Sequence, residues 1–209
     1  MIRENLEKIR KSIGKNIEIL AATKSRSTEE VEKAIDAGIK IIGENRSEGL
    51  VQRHHELKDL DVKIHFIGHL QRNKVKDVVL IADMIQSLDS VKLAKKIDKE
   101  AAKIGKIQEV FIQINIGNEE QKYGILLEEV DEFVKKLKRM KNIKIKGFMC
   151  IAPYFTDPEK TRPYFRKMKE IFDKYNFEIL SMGMTNDYKI AVEEGSTMVR
   201  IGTGIFGSR

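Results

Sequence analysis

Short β-prone runs alternate with longer helical patterns along almost the whole of this chain, and that alternation constrains the fold more than any single motif does. Eight such runs can be read: Ile17–Thr23, Lys40–Gly43, Ile64–Gly68, Met84–Ser87, Val110–Ile116, Ile143–Cys150, Ile179–Met182 and Met198–Gly202. Between them lie helical patterns such as Thr28–Ala37, Val91–Ile104, Glu128–Met140 and Pro158–Tyr175, the first opened by a Ser27/Thr28 cap with glutamates in its first turn. Strands joined by helices must run parallel, because a helical crossover returns the chain to the edge it left. Eight units predict closure into a (β/α)8 TIM barrel, for which about 200 residues is the lower limit. The alternative is an open doubly wound sheet. No Gly-x-Gly-x-x-Gly follows the first run, so a dinucleotide site is not indicated. With no linker, repeat or low-complexity tract, residues 1–209 are expected to form a single domain, preceded by an extra N-terminal helix.

Composition removes several function classes. No apolar run approaches the roughly 20 residues needed to span a bilayer. The start, Met1 to Arg10, is a charged amphipathic pattern without the apolar centre of a signal peptide, which predicts a cytoplasmic location. Cys150 is the only cysteine, so no intrachain disulfide can form. The net charge of +7 invites a nucleic-acid reading, but lysines are interleaved with acidic residues, as from Glu128 to Lys141, and Trp is absent. Neither nucleic acid nor membrane is expected as a partner.

The chemistry-bearing residues fall at the predicted C-terminal ends of strands, the face on which barrels build their sites. Lys24 follows the first run and is the candidate nucleophile; at the end of an interior strand it is expected to be partly desolvated, which favours Schiff base formation. At the far end, Ser181-Met-Gly-Met-Thr-Asn-Asp187 and Met198-Val-Arg-Ile-Gly-Thr-Gly204 form two small-residue turns whose backbone N–H groups can face a phosphate. Arg200, between apolar Val199 and Ile201, should point into the barrel, where it needs either a buried carboxylate, with Glu44 available, or a ligand atom. An amine and a phosphate cradle at strand ends point to an aldehyde cofactor. His65 and His69 flank a strand end and do not share a helix face, so they make no helical metal pair.

These residues lie in blocks that resemble the pyridoxal 5′-phosphate (PLP) homeostasis proteins, which share the barrel of the alanine racemase N-terminal domain. The blocks are Ala21-Ala-Thr-Lys-Ser25, Ile42-Gly-Glu-Asn45, His65-Phe-Ile-Gly-His-Leu-Gln71, Ser87-Leu-Asp-Ser90, Gly147-Phe-Met-Cys-Ile-Ala-Pro153, Ser181-Met-Gly-Met184 and Glu193-Glu-Gly-Ser-Thr-Met-Val-Arg-Ile-Gly202. The resemblance implies that Lys24 carries PLP as a Schiff base and that Arg200 faces the pyridine nitrogen. It also implies a phosphate shell of Ser181, Gly202 and Thr203 with Thr185 beside them, and Asn45 as a ring or phosphate contact. Three places depart from the pattern: Lys24-Ser25-Arg26-Ser27 replaces Lys-Thr-Lys-Pro, Arg46 replaces a tyrosine, and Thr185 replaces a serine. Lys122-Tyr-Gly124 matches a Lys-x-Gly of the family without an assigned duty.

An arginine at the pyridine nitrogen disfavours its protonation, so the resemblance implies a site that holds the cofactor rather than one that drives carbanion chemistry. The expected function is storage or delivery of PLP, possible recipients being PLP-dependent apoenzymes, with the chain a monomer or weak homodimer. The alternative is an amino-acid racemase or another PLP-dependent enzyme. Racemisation needs a base on each face of the substrate. The alanine racemases draw the second from a further C-terminal domain that is not expected here, and Tyr123, Tyr154 and Tyr188 are the in-chain candidates.

Overall fold

The computed structural model describes residues 1–208, and in it the eight runs close into a parallel barrel with strands neighbouring one another in chain order. Helix α1 (Ile2–Ile13) precedes β1 (Glu18–Ala22), α2 (Thr28–Asp36), β2 (Ile41–Glu44), α3 (Ser47–Glu56) and β3 (Lys63–Phe66). Then follow α4 (Val75–Ile81), β4 (Met84–Leu88), α5 (Val91–Lys103), β5 (Gln108–Ile114), α6 (Val130–Leu137) and β6 (Ile143–Cys150). The last units are α7 (Arg162–Phe172), β7 (Ile179–Ser181), α8 (Tyr188–Glu193), β8 (Met198–Ile201) and α9 (Thr203–Phe206). Leu20 of β1 pairs with Arg200 of β8, which closes the sheet and rules out the open alternative.

Local sequence sets the helix boundaries. Ser27 accepts from the Glu30 N–H at 3.2 Å while the Glu30 carboxylate takes the Ser27 N–H at 2.9 Å, a reciprocal cap worth about 1 kcal/mol. The long helical patterns at Glu128–Met140 and Pro158–Tyr175 open as 3-10 turns and become α-helix only at Val130 and Arg162. Pro163 explains the second boundary: with no N–H to offer, it fits only in a helix's first turn.

Period-two alternation divides the buried apolar residues into two sets. Leu20, Ile41, Met84, Phe111, Met149 and Met198 point inward and fill the barrel. Their strand neighbours, among them Ala21, Ile42, Ile85, Val110, Phe148 and Val199, point outward against the helices. On several strands the next inward residue is polar: Met84 is followed by Gln86, Ile179 by Ser181 and Met198 by Arg200, and His65 of β3 completes the set, all four buried. That change from apolar to polar filling marks the C-terminal end of the barrel. Among the described residues no helix is long and apolar enough to cross a membrane.

Candidate functional site

Arg200 is 5 % exposed and points inward, as alternation predicts. Its Nη1 donates to the Ser181 carbonyl at 2.9 Å and to Ser181 Oγ at 2.8 Å, and its Nη2 donates to the Cys150 carbonyl at 2.9 Å. The expected alternative partner, Glu44, is elsewhere. Its Oε1 accepts from Thr23 Oγ1 at 2.6 Å and from Arg53 Nε at 3.3 Å, outside the barrel wall. Among the described residues no carboxylate forms an ion pair with Arg200 and nothing bonds its Nε. Burial lowers the basicity of the guanidinium. A buried cation held only by neutral acceptors favours an anionic or electron-rich ligand.

Such a ligand has room. A cavity of about 470 Å³ opens above Arg200, walled by Ala22, Ile151, Tyr154 and Phe155 and edged by Thr185, Gly202 and Thr203. The two turns that frame it are fastened together. Thr185 Oγ1 stands 3.2 Å from Thr203 Oγ1 and accepts the Gly204 N–H at 3.2 Å, and the Arg200 N–H donates to the Gly183 carbonyl. Gly183 holds φ at 93°, and a Cβ there would stand 2.6 Å from the Ala191 Cβ, so the first turn requires glycine. At Gly202 an added Cβ would meet only Ala22, at ordinary contact distances of 3.5 and 3.6 Å, so what the glycine leaves bare is a stretch of backbone beside the cavity. Asp187 also lines the cavity; its Oδ1 accepts the Met184 N–H at 2.7 Å, and burial raises its pKa.

The remaining predicted residues are placed differently. Ser181 lies under Arg200 rather than at the open wall: it is fully buried, its hydroxyl donates to Gln86 Oε1 at 2.9 Å and accepts from Arg200, and no donor is left for a phosphate. Lys24 lies two residues past Ala22, is not among the residues that line the cavity, and is exposed rather than partly desolvated. The reason is local. Thr23 turns its side chain outward to Gly43 and Glu44, the Arg26 N–H closes a turn on the Thr23 carbonyl, and Ser25 adopts φ 56°, so Lys24 rides the tip of the turn. Arg53 braces that turn from behind by donating to the Arg26 carbonyl at 2.9 Å. Asn45 is half-buried in a neighbouring groove with Arg46 and His69, apart from the cavity that holds Arg200.

Lys122 and Gln86 carry no role that the sequence assigns. Lys122 lines the wall, its Nζ donating to the Ala152 carbonyl at 3.0 Å and pairing with Glu119 at 2.5 Å. Gln86 could be found only by pairing alternation with its polarity, two residues after the inward Met84. Of the three tyrosines, Tyr123 is stacked on His69 with ring centroids 3.6 Å apart, and Tyr188 opens α8 with its hydroxyl on Ser12. Tyr154 lines the cavity from an exposed loop. Cys150 faces the helical shell, its thiol pushed up to about 12 by burial.

The fold and the arginine at its mouth define a barrel of one known class: the family described as alanine racemase, N-terminal domain, matches residues 1–209. A pyridoxal phosphate homeostasis protein of Aquifex aeolicus is 42% identical, over 98% of this chain and 95% of its own length. Another from Helicobacter pylori is 32% identical over 96% and 93%. The structure of PipY from Synechococcus elongatus, with PLP bound, superposes with a TM-score of 0.92 at 29% identity, covering 99% of this chain and all of that one. The chain belongs to the pyridoxal phosphate homeostasis protein family.

Proposed function

We propose that this chain binds PLP in the cavity above Arg200, holds it as a Schiff base on Lys24, and stores it or delivers it to PLP-dependent apoenzymes. The observation that carries the reading is a buried arginine without a carboxylate partner, set beside a pair of threonines and a bare glycine backbone. The likeness to PipY, whose structure contains PLP, supports it. The residues suit the group. Thr185 and Thr203 offer hydroxyls at the cavity edge, and the Arg200 Nε remains for the pyridine nitrogen. Bound PLP would supply an aldehyde that condenses with an amine, releasing one water.

The chain's own residues favour holding over catalysis. Arg200 can only donate to the pyridine nitrogen and does not give up its proton, and its charge disfavours a second cation beside it, so the nitrogen stays unprotonated and the ring a poor electron sink. Lys24, exposed in the turn after β1, can be reached by an incoming amine, which suits release. Ser181 takes the role of seating Arg200, and Asn45 that of a contact from the adjacent groove. We read residues 1–209 as one cytoplasmic unit.

The test is a visible absorption spectrum of the purified protein, then borohydride reduction and peptide mapping. A yellow protein with the reduced adduct on Lys24 is expected. An adduct located mainly on another lysine, Lys122 included, refutes the assignment.

A further inference from the structure

Four buried side chains from four strands form a hydrogen-bonded line across the barrel interior. Arg200 Nη1 reaches Ser181 Oγ at 2.8 Å, Ser181 Oγ reaches Gln86 Oε1 at 2.9 Å, and Gln86 Nε2 reaches His65 Nδ1 at 2.9 Å. Arginine has no acceptor, so it must donate to the Ser181 oxygen. The single Ser181 proton then goes to Gln86, which must present its carbonyl. The Gln86 amide is thereby turned toward His65 and the Met198 sulfur 3.3 Å away, and His65 Nδ1 can only accept. Every direction along the line follows from the one group that cannot reverse. All four residues are at most 5 % exposed, so water is not at hand to replace a lost partner.

We propose that Gln86, backed by His65, is a positioning residue for Arg200: it takes the Ser181 proton, keeps the Ser181 oxygen facing the guanidinium, and so fixes the edge that Arg200 turns to the cavity. Neither residue lines the cavity. The inference rests on the reading of Arg200 as a PLP contact only for its functional consequence; the geometry of the line stands without it. Removing the Gln86 carbonyl leaves the Ser181 proton no acceptor but solvent-free space, and the hydroxyl must turn against the arginine N–H.

The first measurement uses the unaltered protein. Nitrogen-15 NMR of the histidine side chains is expected to show His65 with Nδ1 bare and Nε2 protonated. The opposite tautomer, or a doubly protonated ring at neutral pH, overturns the proposal whatever any variant does. The second is a cycle of Gln86→Leu, Ser181→Ala and the double variant, read in the ligand-free protein by the Arg200 Nε–H resonance and in the loaded protein by PLP dissociation. Gln86→Leu should shift or broaden that resonance and weaken PLP binding about tenfold, and should add less than about twofold once Ser181 is alanine. An unmoved resonance, or full additivity in the double variant, overturns the relay. If Arg200→Ala binds PLP as the unaltered protein does, the cofactor reading fails instead, and the tautomer and resonance still decide the relay.

Discussion

Acid should destabilise this barrel through His65, in a pH window set by how deeply the imidazole is buried. Burial first, and the charge of Lys63 second, push its pKa from 6.5 down to about 3. As pH falls below 6.5 the unfolded chain takes up a proton on this ring while the folded protein does not, so the stability present above 6.5 is lost progressively down to about 3. Proton linkage puts the loss at about 2 kcal/mol by pH 5 and about 3 kcal/mol by pH 4. The perturbation is His65→Asn, whose amide oxygen can still accept from Gln86 but which does not titrate. It costs a pH-independent amount, roughly 1–3 kcal/mol, for the space the ring leaves. Urea unfolding of both ligand-free proteins between pH 7.5 and 4 measures the difference. The advantage of the unaltered protein should shrink by about 2 kcal/mol between pH 7.5 and 5. Parallel profiles would refute the argument, because they would mean that the folded protein protonates His65 as readily as the unfolded chain does.

Other perturbations test other parts of the molecule. Changing Thr185 and Thr203 to valine should weaken PLP retention by about 1.5–3 kcal/mol for each charge-assisted bond removed; native circular dichroism with unchanged affinity would reject the phosphate site. Arg53→Met strands a buried Glu44 and should cost about 3–5 kcal/mol in urea unfolding, part of it restored by Glu44→Gln in the same chain. A loss below about 1 kcal/mol would show that the pair does not brace the Lys24 turn. Assayed against a panel of L- and D-amino acids, the protein should turn over near background while releasing PLP to an apo-aminotransferase; robust turnover abolished by Lys24→Ala would favour the enzyme reading.

The architecture was legible because it depends on periodicity, a local property: the strand runs and their order follow from alternation, and so does the inward direction of Arg200. What the chain hides is which inward residues meet. Gln86 and Ser181 are far apart in sequence and touch only because β4 and β7 face each other across the barrel, and nothing in Met84-Ile-Gln-Ser-Leu88 announces that contact. Glu44 was a reasonable partner for Arg200 by charge, yet the pleat turns it outward to Arg53. Lys24 shows the same limit at shorter range. A strand two residues longer would have carried it inward, but β1 ends at Ala22, where Thr23 turns out to Glu44, and the turn that follows leaves the lysine exposed. Periodicity does not separate the 3-10 turns that open α6 and α7 from the helices themselves, since both helix types share the same apolar spacing over one turn.

The closing seam between β1 and β8 has a consequence for how the protein comes into being. Leu20 pairs with Arg200, and Ala22 abuts Gly202, so the two walls of the cavity are among the first and the last barrel residues to leave the ribosome. Throughout synthesis of the intervening strands the sheet has two open edges and no cofactor pocket. The contact that completes the pocket is also the one with the greatest loop-closure penalty, which places it late in folding. A nascent chain therefore cannot capture PLP while it is being made, and ligand binding reports on completed closure of the barrel rather than guiding it.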